Sequence, residues 1–105
     1  MKVSGKIEVF RNDNNYYTGI LKAWEDNKVI GKLFIDVKLP FEIARGQTWT
    51  LFVKEGYLNV RYGHTKEGGT IFTRPEIQVV DCDVIKKYIK DSGDEINDEG
   101  EVLFE

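Results

Sequence analysis

Val29-Ile30-Gly31-Lys32-Leu33-Phe34-Ile35-Asp36-Val37-Lys38-Leu39 is the stretch that decides the fold. Val29, Gly31, Leu33, Ile35 and Val37 fall on one side of an extended chain, and Ile30, Lys32, Phe34, Asp36 and Lys38 on the other. Successive side chains point to opposite faces only in a β-strand. One apolar face and one mixed face predict a strand with one side in a core. Pro40 ends it, because proline has no backbone donor.

The same alternation extends toward the N-terminus. Lys2 to Phe10 sets Val3, Ile7 and Val9 against Lys2, Lys6 and Glu8, with Gly5 as a candidate bulge. Asn12-Asp13-Asn14-Asn15 predicts a turn, since short polar side chains tolerate left-handed and Asx-turn geometry. Tyr16 to Trp24 then pairs with the first strand as a hairpin, and Glu25-Asp26-Asn27-Lys28 is the next turn.

Toward the C-terminus, Phe41 to Arg45 is too short for a long helix, and Gly46 opens a fourth strand, Gln47 to Glu55. Gly56 interrupts it, and Tyr57 to Tyr62 continues it. His64-Thr65-Lys66-Glu67-Gly68-Gly69 predicts a glycine-closed hairpin loop. Thr70 to Val80 returns, with Pro75 implying an edge or a bend. Asp81-Cys82-Asp83 offers N-cap residues, and Val84, Ile85, Tyr88 and Ile89 then line one face of a short helix. Lys86, Lys87 and Lys90 fall in its last turns, where the helix dipole favours cations. Ser92-Gly93 breaks it.

Five strand regions within the first 90 residues predict a small closed barrel, because closure removes the exposed edges a short sheet would carry. An SH3-like barrel is the chief structural competitor. The chain divides into a domain over 1–90 and an acidic tail over 91–105. The tail holds seven acids and no base, so the net charge of −3 conceals a first part with a net charge of +4. Its low hydrophobicity, relieved by Val102-Leu103-Phe104, predicts disorder.

No run approaches the ~18 apolar residues a membrane helix needs, and Met1 to Lys6 carries no apolar signal segment. The single cysteine, Cys82, cannot form an internal disulfide. Together these predict a cytoplasmic protein without membrane partners. Enzyme chemistry has little to stand on. His64 is the lone histidine, in a predicted loop, and there is neither a Gly-x-x-x-x-Gly-Lys loop nor a Cys-x-x-Cys pair, so no cofactor or metal is expected. Asp81 and Asp83 resemble a carboxylate pair, but capping explains them better.

The outward positions carry the functional signal. A barrel interior is filled, so ligand groups must come from the outside of the strands. Tyr16, Lys22, Trp24, Lys32, Phe34, Lys38, Phe52, Lys54, Tyr57 and Arg61 are the candidates, with Phe10 beside them. Single strands are bound by lysines along the backbone and aromatic faces on which bases stack. Large aromatics interleaved with lysines at solvent-facing positions fit that chemistry. A one-residue slip in register would invert the choice for any strand.

The stretch from Gly46 to Ile85 resembles the back half of bacterial single-stranded-DNA-binding proteins, which are OB-folds. The matching features are Gly46, then Gly56-Tyr57-Leu58 and Arg61-Tyr62, the turn Lys66-Glu67-Gly68-Gly69, and Ile77-Gln78-Val79-Val80-Asp81 as the last barrel strand. Val3 to Trp24 is similar to the OB domain that opens RecD-like helicases, through Gly5, Asn12, Asn15, Tyr17 and Leu21. Two departures stand out. Only Pro40 to Arg45 is present where those barrels usually place a helix, and the tail ends Val102-Leu103-Phe104-Glu105 rather than in Pro-Phe.

The resemblance implies an all-β, five-stranded OB-fold barrel with a long strand 4–5 hairpin, followed by the short helix and disordered tail. It also implies single-stranded DNA binding in replication or recombination, with little sequence preference. The tail would dock replication or recombination proteins through Val102, Leu103 and Phe104, or lie transiently on the protein's own basic face in competition with nucleic acid. RNA is an alternative ligand, since stacking is blind to the 2′-hydroxyl, and a homodimer is left open. The rival reading is a protein-interaction or inhibitor module on an OB or SH3-like barrel.

Overall fold

The computed structural model describes residues 1–64 and 71–103, with the backbone alone for 61–64 and 71–73. Six strands form: β1 (Lys2–Arg11), β2 (Tyr17–Glu25), β3 (Lys28–Lys38), β4 (Gln47–His64), β5 (Ile71–Ile89) and β6 (Glu95–Ile96). β1 pairs antiparallel with β2 on one side and β4 on the other, β2 with β3, and β4 with β5. A short parallel ladder, Asp36↔Glu76, Val37↔Ile77 and Lys38↔Gln78, joins β3 to β5. That contact closes the ring in the order β1-β2-β3-β5-β4, a closed five-stranded barrel consistent with the OB-like architecture.

The core follows the predicted alternation. Ile7 and Val9 of β1, Val37 of β3, Leu51 and Val53 of β4, and Ile77 and Val79 of β5 point inward and are buried. β2 approaches so closely that a Cβ on Gly19 would sit 2.5 Å from Ile7 Cδ1 and 2.7 Å from a Val37 methyl. Residues 39–46 supply the remaining core group. Ile43 is fully buried, its N–H donates to the Tyr17 hydroxyl at 3.1 Å, and Phe41 stacks on Trp49 with ring centroids 5.8 Å apart. This connection seals the barrel without a helix.

Local chemistry fixes the turns. Asn12 Oδ1 accepts from the Asn14 and Tyr16 N–H groups at 3.0 and 3.2 Å, an Asx-type turn with Asn15 at φ 66°. Asp26 and Asn27 both have positive φ, 50° and 63°, between the paired Glu25 and Lys28. That is a two-residue turn of the kind whose twist matches a hairpin. Gly5, at φ 131°, sits where the β1–β4 register shifts, as a bulge requires. β3 meets β5 only over residues 36–38, so the β2–β3 hairpin overhangs the barrel. Val29 and Leu33 are therefore exposed although they share the inward parity of Val37.

Two expectations are corrected. Residues 81–89 are not a helix but the continuation of β5, with Leu51↔Val84, Trp49↔Lys87 and Gln47↔Ile89 in register with β4. β4 presents a long row of backbone donors and acceptors, and pairing satisfies both strands at once. Asp81 and Asp83 accordingly cap nothing.

The tail is not disordered over its described part. Gly93 takes φ 73°, the Ile89 N–H donates to Asp94 O at 2.8 Å, and β6 pairs with β5 through Lys87↔Ile96 and Tyr88↔Glu95. Ile96 is 4% exposed and bridges to Val102. Residues 94–103 form a hook against β5, its acids within reach of lysines: Lys86–Glu95 at 3.9 Å and Lys87–Asp98 at 3.3 Å. The predicted 64–69 loop lies mostly outside the described residues.

Candidate nucleic-acid interface

The outer face of β1, β2 and β3 gathers the aromatic and basic side chains into cross-strand rows. Glu8 lies opposite Ile20, and Ile20 opposite Phe34. One step along, Lys22 faces Lys32, and Lys6 faces Phe52 on β4. A register shift after Ala23 sets Trp24 opposite Val29 and leaves its indole beside Lys6 and Lys22. Trp24 is 62% exposed and Phe34 61%, large apolar surfaces for a small barrel to leave in water.

Two adjoining cavities run along this face. One, of about 220 Å³, lies between Trp24, Lys6 and Lys22. The other, of about 350 Å³, lies between Phe34, Phe10, Tyr88 and Lys90. Glu8 and Ile20 line both. Lys90 holds its ammonium 4.2 Å from the centre of the Phe10 ring, a cation–π contact.

The lysines are not equivalent. Lys22 donates to Glu8 Oε1 at 2.6 Å, so part of its charge is already neutralised. Lys54 pairs with Asp83 at 3.1 Å, and the hydrogen bond and charge of Asp83, then the charge of Asp81, hold its ammonium above the ordinary lysine range. Lys6, Lys32 and Lys38 form no ion pair among the described residues.

The remaining candidates scatter. Tyr16 and Lys38 share a separate opening with Leu39 and Glu76 at the end of the β2–β3 ladder. Phe52 is exposed beside Lys6 and extends its row onto β4. Tyr57 stands opposite Lys2 and Gln78 on the β1–β4–β5 wall and lines neither cavity of the face. Its hydroxyl donates to Glu55 Oε1 at 2.9 Å, which raises its pKa. The Arg61 side chain lies outside the described residues, as does Phe104. Val102 and Leu103 are exposed on the hook.

Trp49, by contrast, is half-buried between Phe41 and the Lys87 ammonium, 4.1 Å from its ring centre. Sequence reasoning missed Glu8, Ile20, Tyr88 and Lys90 as lining groups. Alternation along β1 places Glu8 beside Lys6 on the outward side, which was a usable signal. Tyr88 and Lys90 were masked by the helical spacing of their neighbours.

Among the described residues no group of three His, Cys, Asp or Glu side chains is placed to hold a metal ion. Burial, and then the neighbouring Asp81 and Asp83, push the Cys82 thiol above its ordinary pKa. No family model matches the chain, and no curated protein or solved structure matches it either.

Proposed function

We propose that this protein binds single-stranded DNA along the outer face of β1–β3, as an OB-type barrel without catalytic chemistry. The observation that supports this reading is the placement of exposed Trp24 and Phe34 on the same face as Lys6, Lys22 and Lys32. Bases stack on the two rings, each worth about 1–3 kcal/mol. Lys6 and Lys32 meet phosphates and displace counterions, so affinity falls as salt rises. Stacking takes any base, which suits transient single strands in replication or recombination. Val102 and Leu103, exposed at the end of the acidic hook, suit docking of a partner protein.

A second reading, a protein-interaction module, draws on one observation. The overhanging β2–β3 hairpin exposes Val29, Ile30 and Leu33 as well as Trp24 and Phe34. An apolar tongue of this kind also suits a protein partner.

Tryptophan fluorescence during titration with oligo-dT, at low and then moderate salt, separates the two. Salt-sensitive quenching that survives Trp49→Phe supports single-strand binding at Trp24. No quenching, together with a negative gel shift, refutes it and leaves the interaction module.

A further inference from the structure

A carboxylate on the floor of a groove for a polyanion needs a reason. Glu8 sits between the two cavities of the β1–β3 face and lines both, with Ile20 beside it. Trp24 stands in one cavity and Phe34 in the other. The Glu8 side chain is 26% exposed, so it is neither withdrawn into the core nor free in solvent. Its Oε1 accepts from Lys22, while Oε2 has no hydrogen-bond partner among the described residues.

An ionised carboxylate only accepts hydrogen bonds. A base stacked on Trp24 or Phe34 would present an edge within the cavities that Glu8 lines. Cytosine, adenine and guanine offer an exocyclic amino group there. Thymine and uracil offer one imide N–H flanked by two carbonyl oxygens, which the carboxylate repels. Lys22 and Glu8 largely cancel one another's charge, so the pair contributes little to phosphate binding.

We propose that Glu8 makes this face prefer amino-bearing bases, cytosine, adenine and guanine, over thymine and uracil. The inference rests on the single-strand reading above and adds a base preference that stacking alone does not supply. Lys22 is the positioning residue, holding the carboxylate at the boundary between the two cavities.

The test compares oligo-dC, oligo-dA and oligo-dT of equal length against the whole protein at fixed salt. Oligo-dC and oligo-dA should bind about tenfold more tightly than oligo-dT, the scale of one good base contact. Oligo-dC carrying N4,N4-dimethylcytosine, which has no amino hydrogen, should fall to the oligo-dT level without any change in the protein. Glu8→Gln keeps an acceptor for Lys22 and adds a donor for carbonyl groups, so the dC-to-dT ratio should drop toward one. Equal binding of the unmodified oligonucleotides, or a ratio unchanged in Glu8→Gln, overturns the role of Glu8 while leaving single-strand binding intact. Failure of every oligonucleotide to bind overturns the single-strand reading itself, and this inference with it.

Discussion

Replacing Ile96 by alanine should release the C-terminal hook and leave the barrel standing. Ile96 is the one buried apolar group of residues 94–103, at 4% exposure, among the described residues. Trimming a buried isoleucine to alanine costs at least about 2 kcal/mol. The other attachments are weaker. Lys86–Glu95 and Lys87–Asp98 each join at least one largely exposed side chain, and such pairs contribute about 0–1 kcal/mol.

Backbone bonds that join β5 to the hook, such as Ile89 N–H to Asp94 O at 2.8 Å, hold only while the hook is docked. Few contacts tie the hook to the barrel wall, so it opens as a local unit rather than with the whole domain. The assay is amide hydrogen exchange. A loss of about 2 kcal/mol speeds exchange at Ile89 roughly 30-fold, while core amides of β4 keep their rates. Raising salt in the native protein should speed the same amide by only a few-fold, because burial rather than charge holds the hook. Unprotected exchange at Ile89 in the native protein would refute the reasoning, and so would a rate indifferent to Ile96→Ala.

Three further outcomes follow from the same geometry. Trp24→Ala and Phe34→Ala should each weaken oligonucleotide binding by about 5- to 150-fold, the loss of one stacked base, and change folding stability by less than about 1 kcal/mol; thermal melts alongside titrations check both halves. Gly19→Ala should destabilise by about 1–3 kcal/mol through overpacking against Ile7 and Val37, read as a lower urea midpoint with an unchanged slope. Cys82 should react with iodoacetamide at pH 8 more slowly than free cysteine, since burial and the neighbouring aspartates raise its pKa and cut the thiolate fraction. Lys54→Gln should slow it further, because the Lys54 ammonium lowers that pKa.

Much of the candidate site was legible before the structure. Counting in twos places Trp24, Lys32 and Phe34 outward, and they are exposed. What counting could not show was which charges are already engaged. Lys22 and Lys54 read as free cations, yet each meets an acid from another strand, Glu8 and Asp83. Nor could it show the second cavity, because Tyr88 and Lys90 reach the face only if residues 81–89 are a strand. The apolar pattern Val84, Ile85, Tyr88, Ile89 suits a helix as well as it suits a strand that is half exposed along its length. The pairing partner decides between them, and that partner lies some forty residues earlier, at Gln47 to Leu51.

The amino-acid order alone set β1 to β4 and the first half of β5, because a period of two is a property of an extended backbone and needs no partner to be visible. It determined the turns at Asn12–Asn15 and at Asp26-Asn27 for a similar reason, since short polar side chains lower the cost of left-handed φ locally. Long-range packing settled the closure through Asp36–Lys38 against Glu76–Gln78, the burial of Ile43 from an irregular connection, and the docking of an acidic tail through one isoleucine. Those three are choices among surfaces far apart in the chain. They are settled by how much apolar area and how many backbone hydrogen bonds each pairing satisfies, and neither quantity can be read from neighbours in sequence.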